Sequence, residues 1–364
     1  MISILVSFLV ALITTAFVIR LSKHNKNMLD QVNNHVQRVH LHSVSRFGGL
    51  SIFISVAVGI AVANWRAPAT GKWLLLLLLS AIPAFGSGIV EDYTQRVSPL
   101  RRLILTMLSA AIGYYLLDAA IIRLDLPFVD DWLKYVWFSL PLTIFAVGGI
   151  ANAINIIDGF NGLASVVTMF MLLSIAYVAW LVNDTFIVTA AFIMVGAIAG
   201  FFVWNFPYGL IFLGDGGAYF IGFMLGELTV LLIARNPQVS AWYALLLLIY
   251  PVFETAFSIY RRIFIRNSSP GVPDGIHLHS LIFKRLVRWT IGRRDARALI
   301  KRNSLTSPYL WVLSLMAVIP ATVFWQNCWL LIGFCLCFIV AYVWLYMQII
   351  QFNAPHWMII RKRK

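Results

Sequence analysis

Residues 162–204 read GLASVVTMFMLLSIAYVAWLVNDTFIVTAAFIMVGAIAGFFVW, with Asp184 as the one charged side chain. The run is too apolar for the surface of a water-soluble domain, and it is long enough for two spans of about 20 residues each. Asn183 and Asp184 provide a polar break between the two spans. This stretch therefore predicts a polytopic α-helical membrane protein.

The rest of the chain has the same character. Of its 364 residues, 61% are hydrophobic and 12% are charged, and the charged fraction is about half that of an ordinary soluble domain. Strand-type alternation, which would indicate a β-barrel, is absent. The segments long enough to cross a bilayer are 2–21, 48–65, 73–90, 102–118, 135–151, 162–182, 185–204, 217–234, 239–260, 309–325 and 328–350. We therefore expect an all-α polytopic membrane protein with about eleven transmembrane helices, forming a single domain over residues 1–364.

The basic residues are distributed unevenly between the two sides of these spans. One side holds 23 of the 28 Lys and Arg residues, including the long insertion 261–308 and the tail 361–364. The other side holds only Arg66, Lys72, Arg123, Lys134 and Arg235. The positive-inside rule places the basic side in the cytoplasm, with the N-terminus periplasmic and the C-terminus cytoplasmic. The net charge of +14 then follows from topology and requires no nucleic-acid partner.

Acidic residues occupy two of the cytoplasmic connections. Glu91 and Asp92 are adjacent, and their mutual repulsion is tolerable if a metal ion or cationic neighbours neutralise them. A helix cap is the alternative explanation for this pair. Asp215 lies between glycines just before a span, which suits a metal ligand beside a phosphate at a helix N-terminus.

A third connection, NAINIIDGFNGLA at 152–164, carries a polar residue at every third position. This spacing drifts by about 60° per step on a helix, so the four side chains cannot share one face unless the helix breaks at the glycines. Amides and carboxylates at headgroup depth are costly unless they bind something, although Asp-Gly and Asn-Gly are also ordinary turn dipeptides. The four residues are Asn152, Asn155, Asp158 and Asn161.

The insertion 261–308 combines eleven Lys and Arg residues with Asp274 and the pair His277 and His279. In an extended segment residues i and i+2 share one side, so both imidazoles can reach one diphosphate. Zinc is the alternative ligand, but it would require further Cys or His residues nearby. Acids suited to Mg²⁺, with histidines and arginines suited to phosphate, favour phosphoryl transfer at a membrane surface.

At these motifs the sequence resembles the polyprenyl-phosphate N-acetylhexosamine-1-phosphate transferases of glycosyltransferase family 4. The resemblance extends from about Asp30 to about Arg288. It covers, in order, Arg38-Val-His40 with Arg46-Phe-Gly48-Gly49, Gly88-Ile-Val-Glu91-Asp92, Asn152 to Ala164, Phe212-Leu-Gly-Asp215 and Pro273-Asp274-Gly-Ile-His277-Leu-His279. The family usually has two adjacent aspartates where this chain has Glu91 and Asp92, so the chain departs from it at Glu91. Its His-Leu-His sequence is closer to the undecaprenyl-phosphate GlcNAc-1-phosphate transferase branch than to the phospho-muramoyl-pentapeptide translocase branch.

The resemblance implies a reaction, a cofactor and a location. The enzyme would transfer a sugar-1-phosphate, an N-acetylhexosamine phosphate, from a UDP-sugar to undecaprenyl phosphate, giving undecaprenyl-diphospho-sugar and UMP. This would initiate a cell-surface glycan such as the O-antigen of lipopolysaccharide. The expected cofactor is Mg²⁺, with Mn²⁺ as a substitute. The protein would lie in the bacterial inner membrane, among membrane lipid, with its active site facing the cytoplasm and with a homodimer as a possible assembly.

The same resemblance assigns roles to the polar residues. Asp215 is expected to be the principal Mg²⁺ ligand, and Asp92 and Asp158 are expected to assist it as ligands or by supporting the ligands. Glu91 or Asp92 would keep the lipid phosphate ionised, so Glu91, Asp92 and Asp158 form the expected catalytic set. The expected substrate-binding residues are Asn152, Asn155, Asn161, His277, His279 and Arg46.

Two other functions fit some of the residues. Glu227 and Glu254 fall in or near apolar spans, and intramembrane acids often mark an ion path in a transporter or a lipid-linked flippase. Transport sites, however, lie near the midplane between repeated halves, whereas most polar residues here gather at one face and no repeat is evident. An inactive membrane scaffold is the third possibility, supported only by Glu91 in place of aspartate.

Overall fold

The computed structural model describes residues 2–23, 44–265, 275–287 and 296–351. Over these ranges the chain is helical, and its β pairing is limited to an isolated parallel bridge between Ser45 and Ile211. The helices are α1 Ile2–Ser22, α2 Gly48–Arg66, α3 Pro68–Ser80, α4 Ile82–Thr94, α5 Pro99–Leu117, α6 Val129–Leu133, α7 Val136–Ile157, α8 Leu163–Leu181, α9 Thr185–Asn205, α10 Gly214–Arg235, α11 Ala241–Leu247, α12 Ile249–Tyr260, α13 Leu278–Leu281, α14 Ala296–Val323 and α15 Cys328–Ile350. A π-helical turn follows α12 at Arg261–Ile265, and another follows α13 at Ile282–Val287.

The expected multi-pass architecture is confirmed over the described ranges. Nine of the helices found there are long and apolar enough to cross a membrane, and the number rises to eleven if each of two bent pairs counts as one span. The motif residues Arg38, His40 and Asp274, and the basic tail 361–364, lie outside the described residues.

The two bent pairs are α3–α4, with an angle of 43°, and α11–α12, with an angle of 70°. The sequence had indicated one continuous span in each place. Pro83 and Pro251 lie in the first turns of the second helices. Proline has no amide hydrogen, so Pro251 leaves the carbonyl of Leu247 without its helical donor. The helix breaks at the adjoining residue, Leu248.

The centre of the bundle is α10, which is buried over nearly its whole length. It packs against α7, α4, α2 and α8. Glycines allow two of these close approaches: a Cβ built on Gly222 would lie 2.7 Å from the Cα of Ala151, and a Cβ on Gly49 would overlap the backbone of Gly217. Close approach of backbones at small residues is a usual way for helices to associate inside a membrane.

The edge of the bundle is illustrated by α1. One face packs on α2 and α9. There the Thr15 hydroxyl donates to Ser51 Oγ at 2.8 Å, and the indole N–H of Trp204 donates to the Leu12 carbonyl at 3.0 Å. The opposite face exposes an apolar residue at every fourth position, namely Leu5, Leu9, Ile13 and Phe17. Such a stripe is stable against lipid and unstable against water.

Loops on the side of the expected site are shorter than the sequence suggested. Asn152 and Asn155 lie within the last two turns of α7, and α10 begins at Gly214 rather than at residue 217. The insertion expected at 261–308 is also partly helical, because α14 begins at Ala296. The helices continue through polar residues at these ends because the polar side chains form hydrogen bonds with neighbouring helices.

Candidate active site

The first turn of α10 lies where α2 begins and where α4 ends. The amides of Gly48 and Gly49 donate to the carbonyls of Phe212 and Leu213 at 3.0 and 2.8 Å, which joins the start of α2 to the segment before α10. On the other side, a Cβ built on Gly88 of α4 would lie 2.5 Å from backbone atoms of α10. Three segments that are far apart in sequence therefore meet at one point.

Asp215 is in the first turn of α10 and is partly buried. One carboxylate oxygen accepts a hydrogen bond from Asn155 Nδ2 at 2.7 Å. The other forms an ion pair with the guanidinium of Arg102, which extends from α5. Helix N-termini stabilise negative charge, so Asp215 has three sources of stabilisation for its ionised form.

Asp92, near the end of α4, is almost fully buried and faces the same helix end. Its Oδ1 accepts the backbone N–H of Asp215 at 2.9 Å, and its Oδ2 accepts the backbone N–H of Gly216 at 2.8 Å. Both oxygens are therefore bonded to main-chain donors of α10.

Glu91 precedes Asp92 on α4 and points elsewhere, because successive residues of an α-helix are rotated by about 100°. Its Oε2 accepts the backbone N–H of Val97 at 2.6 Å, and the side chain is partly exposed. The two adjacent acids thus contact different parts of the protein, the first a loop and the second a helix end.

Asn152 and Asn155 lie three residues apart on α7 and both face α10. Asn152 Oδ1 accepts a hydrogen bond from the Tyr219 hydroxyl at 3.2 Å, and Asn155 binds Asp215. The Arg102 guanidinium carbon lies 5.7 Å from the centroid of the Tyr219 ring. The two asparagines thus extend the Asp215 group along one side of α10.

Asp158 ends α7 and is partly buried. Shielding from water raises the pKa of its carboxyl to about 7, although the positive charge of Arg46 acts in the opposite direction. The Arg46 charge also acts on Asp92, so this arginine is near both acids. A carboxyl with a pKa near neutrality can accept and release a proton at physiological pH.

Asn161 is located differently from the other three residues of its motif. Its amide Nδ2 donates to the Pro207 carbonyl at 3.1 Å, and its backbone is held by Asn303 and Ser307 of α14, at 2.8 and 2.6 Å. The side chain is buried. These contacts anchor the turn between α7 and α8 against α14.

The two histidines form a second group beside that turn. Their rings are stacked, with centroids 5.2 Å apart and planes at 15°. His279 also lies 5.4 Å from the ring of Phe160, and a Cβ built on Gly159 would lie 3.3 Å from its Nε2. The histidine motif therefore lies against the residues that follow Asp158.

Glu254 of α12 holds the histidine segment in place. Its Oε1 lies 3.0 Å from His277 Nδ1 and accepts the Leu278 N–H at 3.3 Å, and its Oε2 accepts the Tyr342 hydroxyl of α15 at 2.6 Å. Arg261 adds a second link, from the Ile276 carbonyl at 3.1 Å to the Tyr346 hydroxyl.

Comparison with known proteins identifies the family of this chain. Residues 74–233 match the model of glycosyl transferase family 4. A Bacillus subtilis protein described as a probable undecaprenyl-phosphate N-acetylglucosaminyl 1-phosphate transferase is 30% identical over 290 residues, which are 77% of each chain. The chain belongs to glycosyl transferase family 4.

Further relatives come from both branches of the family. The undecaprenyl-phosphate alpha-N-acetylglucosaminyl 1-phosphate transferase of Thermotoga maritima is 24% identical over 255 residues, covering 70% of this chain and 72% of its own. The phospho-N-acetylmuramoyl-pentapeptide-transferase of Streptococcus mutans is 26% identical over 273 residues, covering 69% and 76%. The expected family is confirmed, and the Bacillus protein supports the predicted likeness to the N-acetylglucosaminyl branch.

The described carboxylates of the family 4 protein provide oxygen ligands suited to Mg²⁺, but they do not complete its coordination shell by themselves. Within the described ranges, no group of three or more His, Cys, Asp or Glu side chains could hold a metal ion. Mg²⁺ is commonly held by one or two carboxylates together with substrate phosphates and water. Asp215, a carboxylate at a helix N-terminus beside the Arg102 guanidinium, fits that kind of shared site.

Sequence reasoning on the family 4 protein missed Arg102, Tyr219, Tyr342 and Arg261 as members of the site. Arg102 is one of the 23 basic residues counted on the side predicted to be cytoplasmic, and its place ten positions after the acid pair was a usable signal. The tyrosines gave no signal, because aromatic residues at helical spacing are common in any membrane bundle. Glu227, the other intramembrane acid, lies beside Gly113 and about 18 Å along α10 from Asp215, so it is outside this group.

Proposed function

We propose that this protein transfers a sugar-1-phosphate from a UDP-N-acetylhexosamine to undecaprenyl phosphate, producing undecaprenyl-diphospho-sugar and UMP. The observation that carries the proposal is the group around Asp215, where Arg102, Asn155 and Asp92 converge on the first turn of α10. The names of the Bacillus and Thermotoga relatives, both N-acetylglucosaminyl 1-phosphate transferases acting on undecaprenyl phosphate, support the substrate class.

The reaction exchanges one phosphoanhydride for another. An oxygen of the lipid phosphate attacks the phosphorus that carries the sugar, and the bond from that phosphorus to the oxygen shared with UMP breaks. UMP leaves with that oxygen, and the new bond joins the lipid phosphate to the sugar phosphate. Several negative charges approach one another in this step, so the site must supply positive charge.

Asp215 is the proposed Mg²⁺ ligand, and Mn²⁺ is the proposed substitute. Bound there, the ion would neutralise phosphate oxygens and hold them in position. Arg102 adds fixed positive charge at Asp215, and Arg46 adds it near Asp92 and Asp158. Asn152 and Asn155, on the same face of α7, are the proposed contacts for the nucleotide or the sugar.

Proton handling in this scheme requires no strong base. The second pKa of a phosphate monoester is about 6, so much of the lipid phosphate is already dianionic at neutral pH. Asp158, with a pKa of about 7, is the proposed acceptor for the remaining proton, and Glu91 is a second candidate. His277 and His279 would donate to diphosphate oxygens, since imidazoles bind phosphate through charge-assisted hydrogen bonds.

The reaction is proposed to occur on the cytoplasmic side of the bacterial inner membrane, where the asymmetry of Lys and Arg orients the site. It would initiate a cell-surface glycan such as an O-antigen. The direct test supplies membranes containing the protein with undecaprenyl phosphate, Mg²⁺ and a panel of UDP-N-acetylhexosamines, and measures UMP release. We expect release with at least one of these sugars and none when the lipid phosphate or the metal is omitted.

Asp215→Asn provides the matched variant for this assay. It keeps the shape of the side chain and one oxygen but loses the charge, so we expect UMP release to fall by about 100-fold or more, as for loss of a group that stabilises the transition state. Asn152→Ala serves as a comparison that leaves the charge unchanged and should mainly raise KM. Near-normal release by Asp215→Asn would contradict the metal assignment.

A further inference from the structure

We infer that Asp92 is a positioning residue, which orients Asp215 by capping α10 from a different helix. The inference rests on the proposed function, because it assigns a role within the same site. The sequence had grouped Asp92 with the metal ligands and with the groups that contact the lipid phosphate. The inference assigns it to neither group.

The first turn of α10 lacks a cap of its own. Helix caps normally accept the N–H groups of the second and third residues of the helix, which here are Asp215 and Gly216. The residue before the helix, Leu213, has no side-chain acceptor and makes no capping hydrogen bond. Asp92 supplies the missing acceptors, with one oxygen for each of the two amides, at 2.9 and 2.8 Å.

The surroundings of Asp92 are shaped to let its carboxylate reach the helix end. A Cβ built on Gly214 would lie 2.7 Å from Asp92 Oδ2, and one on Gly216 would lie 3.2 Å from the same oxygen. Gly214 also has φ +73°, a conformation that favours glycine. Side chains at these two positions would keep the carboxylate away from the amides.

Asp215 is therefore held at its backbone and at its side chain. Asp92 fixes its backbone nitrogen, while Asn155 and Arg102 hold its carboxylate. Asp92 itself is only 4% exposed, which leaves little of it accessible to a lipid phosphate. Its position matches that of a residue that orients a metal ligand, as in the supporting groups of other metal sites.

The cap also explains why position 91 accepts a glutamate whereas position 92 is an aspartate. Two amides of one helix turn fix the distance between the Asp92 carboxylate and α10, so a longer side chain at this position would displace the helix end. Glu91 instead accepts a single loop amide, that of Val97, which can adjust to one additional methylene. Glutamate is therefore compatible with position 91 and incompatible with position 92.

The first experiment compares Asp92→Asn with Asp92→Ala in the UMP-release assay over a range of Mg²⁺ concentrations. The asparagine oxygen can still accept one of the two amides. We expect Asp92→Asn to retain a measurable kcat, with half-saturation at several-fold higher Mg²⁺, and we expect Asp92→Ala to lose at least tenfold more activity. If both variants lose kcat equally and keep the normal Mg²⁺ half-saturation, Asp92 acts as a base and the inference is wrong.

A metal-rescue experiment separates positioning from direct ligation. Thiolates bind soft metal ions strongly, so a cysteine placed at a true ligand position should recover activity with Cd²⁺. Both cysteine variants are made with Cys328, Cys335 and Cys337 replaced by serine. We expect Asp215→Cys to be rescued at least tenfold by Cd²⁺ and Asp92→Cys not to be rescued. Rescue of Asp92→Cys would show that Asp92 contacts the metal and would overturn the inference.

A third measurement does not depend on the reaction. Hydrogen exchange of the purified full-length protein is followed in peptides covering residues 213–220. We expect Asp92→Ala to raise the exchange rate there at least tenfold, with Asp92→Asn between it and the parent protein. Unchanged exchange would refute the cap even if the protein proves to be a UMP-releasing enzyme, whereas faster exchange without UMP release in the parent would refute only the proposed function.

Discussion

Glu254 is the one charged residue of α12, and its hydrogen bonds account for the presence of an acid there. Three donors from two other segments converge on one buried carboxylate, namely His277, the Leu278 amide and Tyr342. Each of these donors would be costly to bury without an acceptor. The acid therefore ties the histidine segment to both α12 and α15.

Replacing Glu254 should destabilise the protein more than replacing any one of its partners. Glu254→Leu removes the acceptor of all three donors, and we expect it to lower the free energy of unfolding by about 3 kcal/mol or more. Tyr342→Phe removes a single hydrogen bond and should cost about 1 kcal/mol. Denaturant unfolding of the detergent-solubilised proteins measures both values. A Glu254→Leu variant as stable as Tyr342→Phe would contradict this anchoring role.

The sequence predicted which residues are candidates for the site better than it predicted what those residues contact. The sequence pointed to Asp215 and Asn155 as polar residues that need a partner, and the structure joins them directly. Asn161 occurs in the same motif with the same spacing, yet its contacts are to Pro207 and to α14. The difference depends on where the helix breaks after Ile157, and residue type carries no information about that.

At the level of elements, Gly88 allows the close approach of α4 to α10. Gly88 faces α10 so closely that a methyl group there would lie 2.5 Å from backbone atoms. Gly86, two residues earlier on the same helix, has no atom within 4 Å of the corresponding position. The pair therefore offers a substitution and its control within one helix turn.

Gly88→Ala should push α10 away from α4, whereas Gly86→Ala should not. Overpacking against backbone costs about 1–3 kcal/mol, and a shift of about 1 Å at the site can reduce activity about 100-fold. We expect both effects in Gly88→Ala. Gly86→Ala should be neutral or more stable by about 0.5–1 kcal/mol, since alanine is the better helix former. Thermal unfolding and UMP release test the pair, and equal behaviour of the two variants would contradict the contact.

The elements themselves were largely predictable. Apolar length located most spans within a few residues of the helices, as for 185–204 against Thr185–Asn205. The bends after Ser80 and Leu247 were not predicted, although Pro83 and Pro251 were visible in the sequence. Proline inside an apolar run need not end a helix, since α7 continues through Pro141, so proline alone does not predict a break.

For the whole molecule, sidedness is the property that connects topology to chemistry. The candidate site residues that the structure describes gather on one side of the bundle, and the positive-inside rule predicts that this side faces the cytoplasm. Thr94 is exposed on this side and Asp131 on the opposite side, in the connection between α5 and α7. The two positions report on the orientation without touching the site.

Cysteine labelling should distinguish these two positions. In a protein whose three native cysteines are replaced by serine, we expect Asp131→Cys to react with a membrane-impermeant maleimide in intact spheroplasts. Thr94→Cys should react only after the membrane is opened. Reaction of Thr94→Cys in intact spheroplasts would place the site on the periplasmic side, where no UDP-sugar is supplied, and would contradict the proposed orientation.

The grouping of polar residues on one side was predictable for the whole molecule, whereas their division into two groups was not. The acids gather at the start of α10, and the histidines stack beside Gly159. About sixty residues separate Asp215 from His277 in the chain, and no local pattern states how that length folds back. Long-range contacts of this kind depend on packing between helices that are each unremarkable in sequence.

The seating of α1 has a consequence for how the protein is made. This helix packs on α2, which is synthesised soon after it. Its most extensive contact, however, is with α9 and includes the hydrogen bond from Trp204 to the Leu12 carbonyl. About 190 residues must leave the ribosome before that partner exists. During this interval lipid, or a helper protein of the insertion machinery, has to cover the face that α9 will later occupy. The helix α1 therefore reaches its final packing only after α9 has been made.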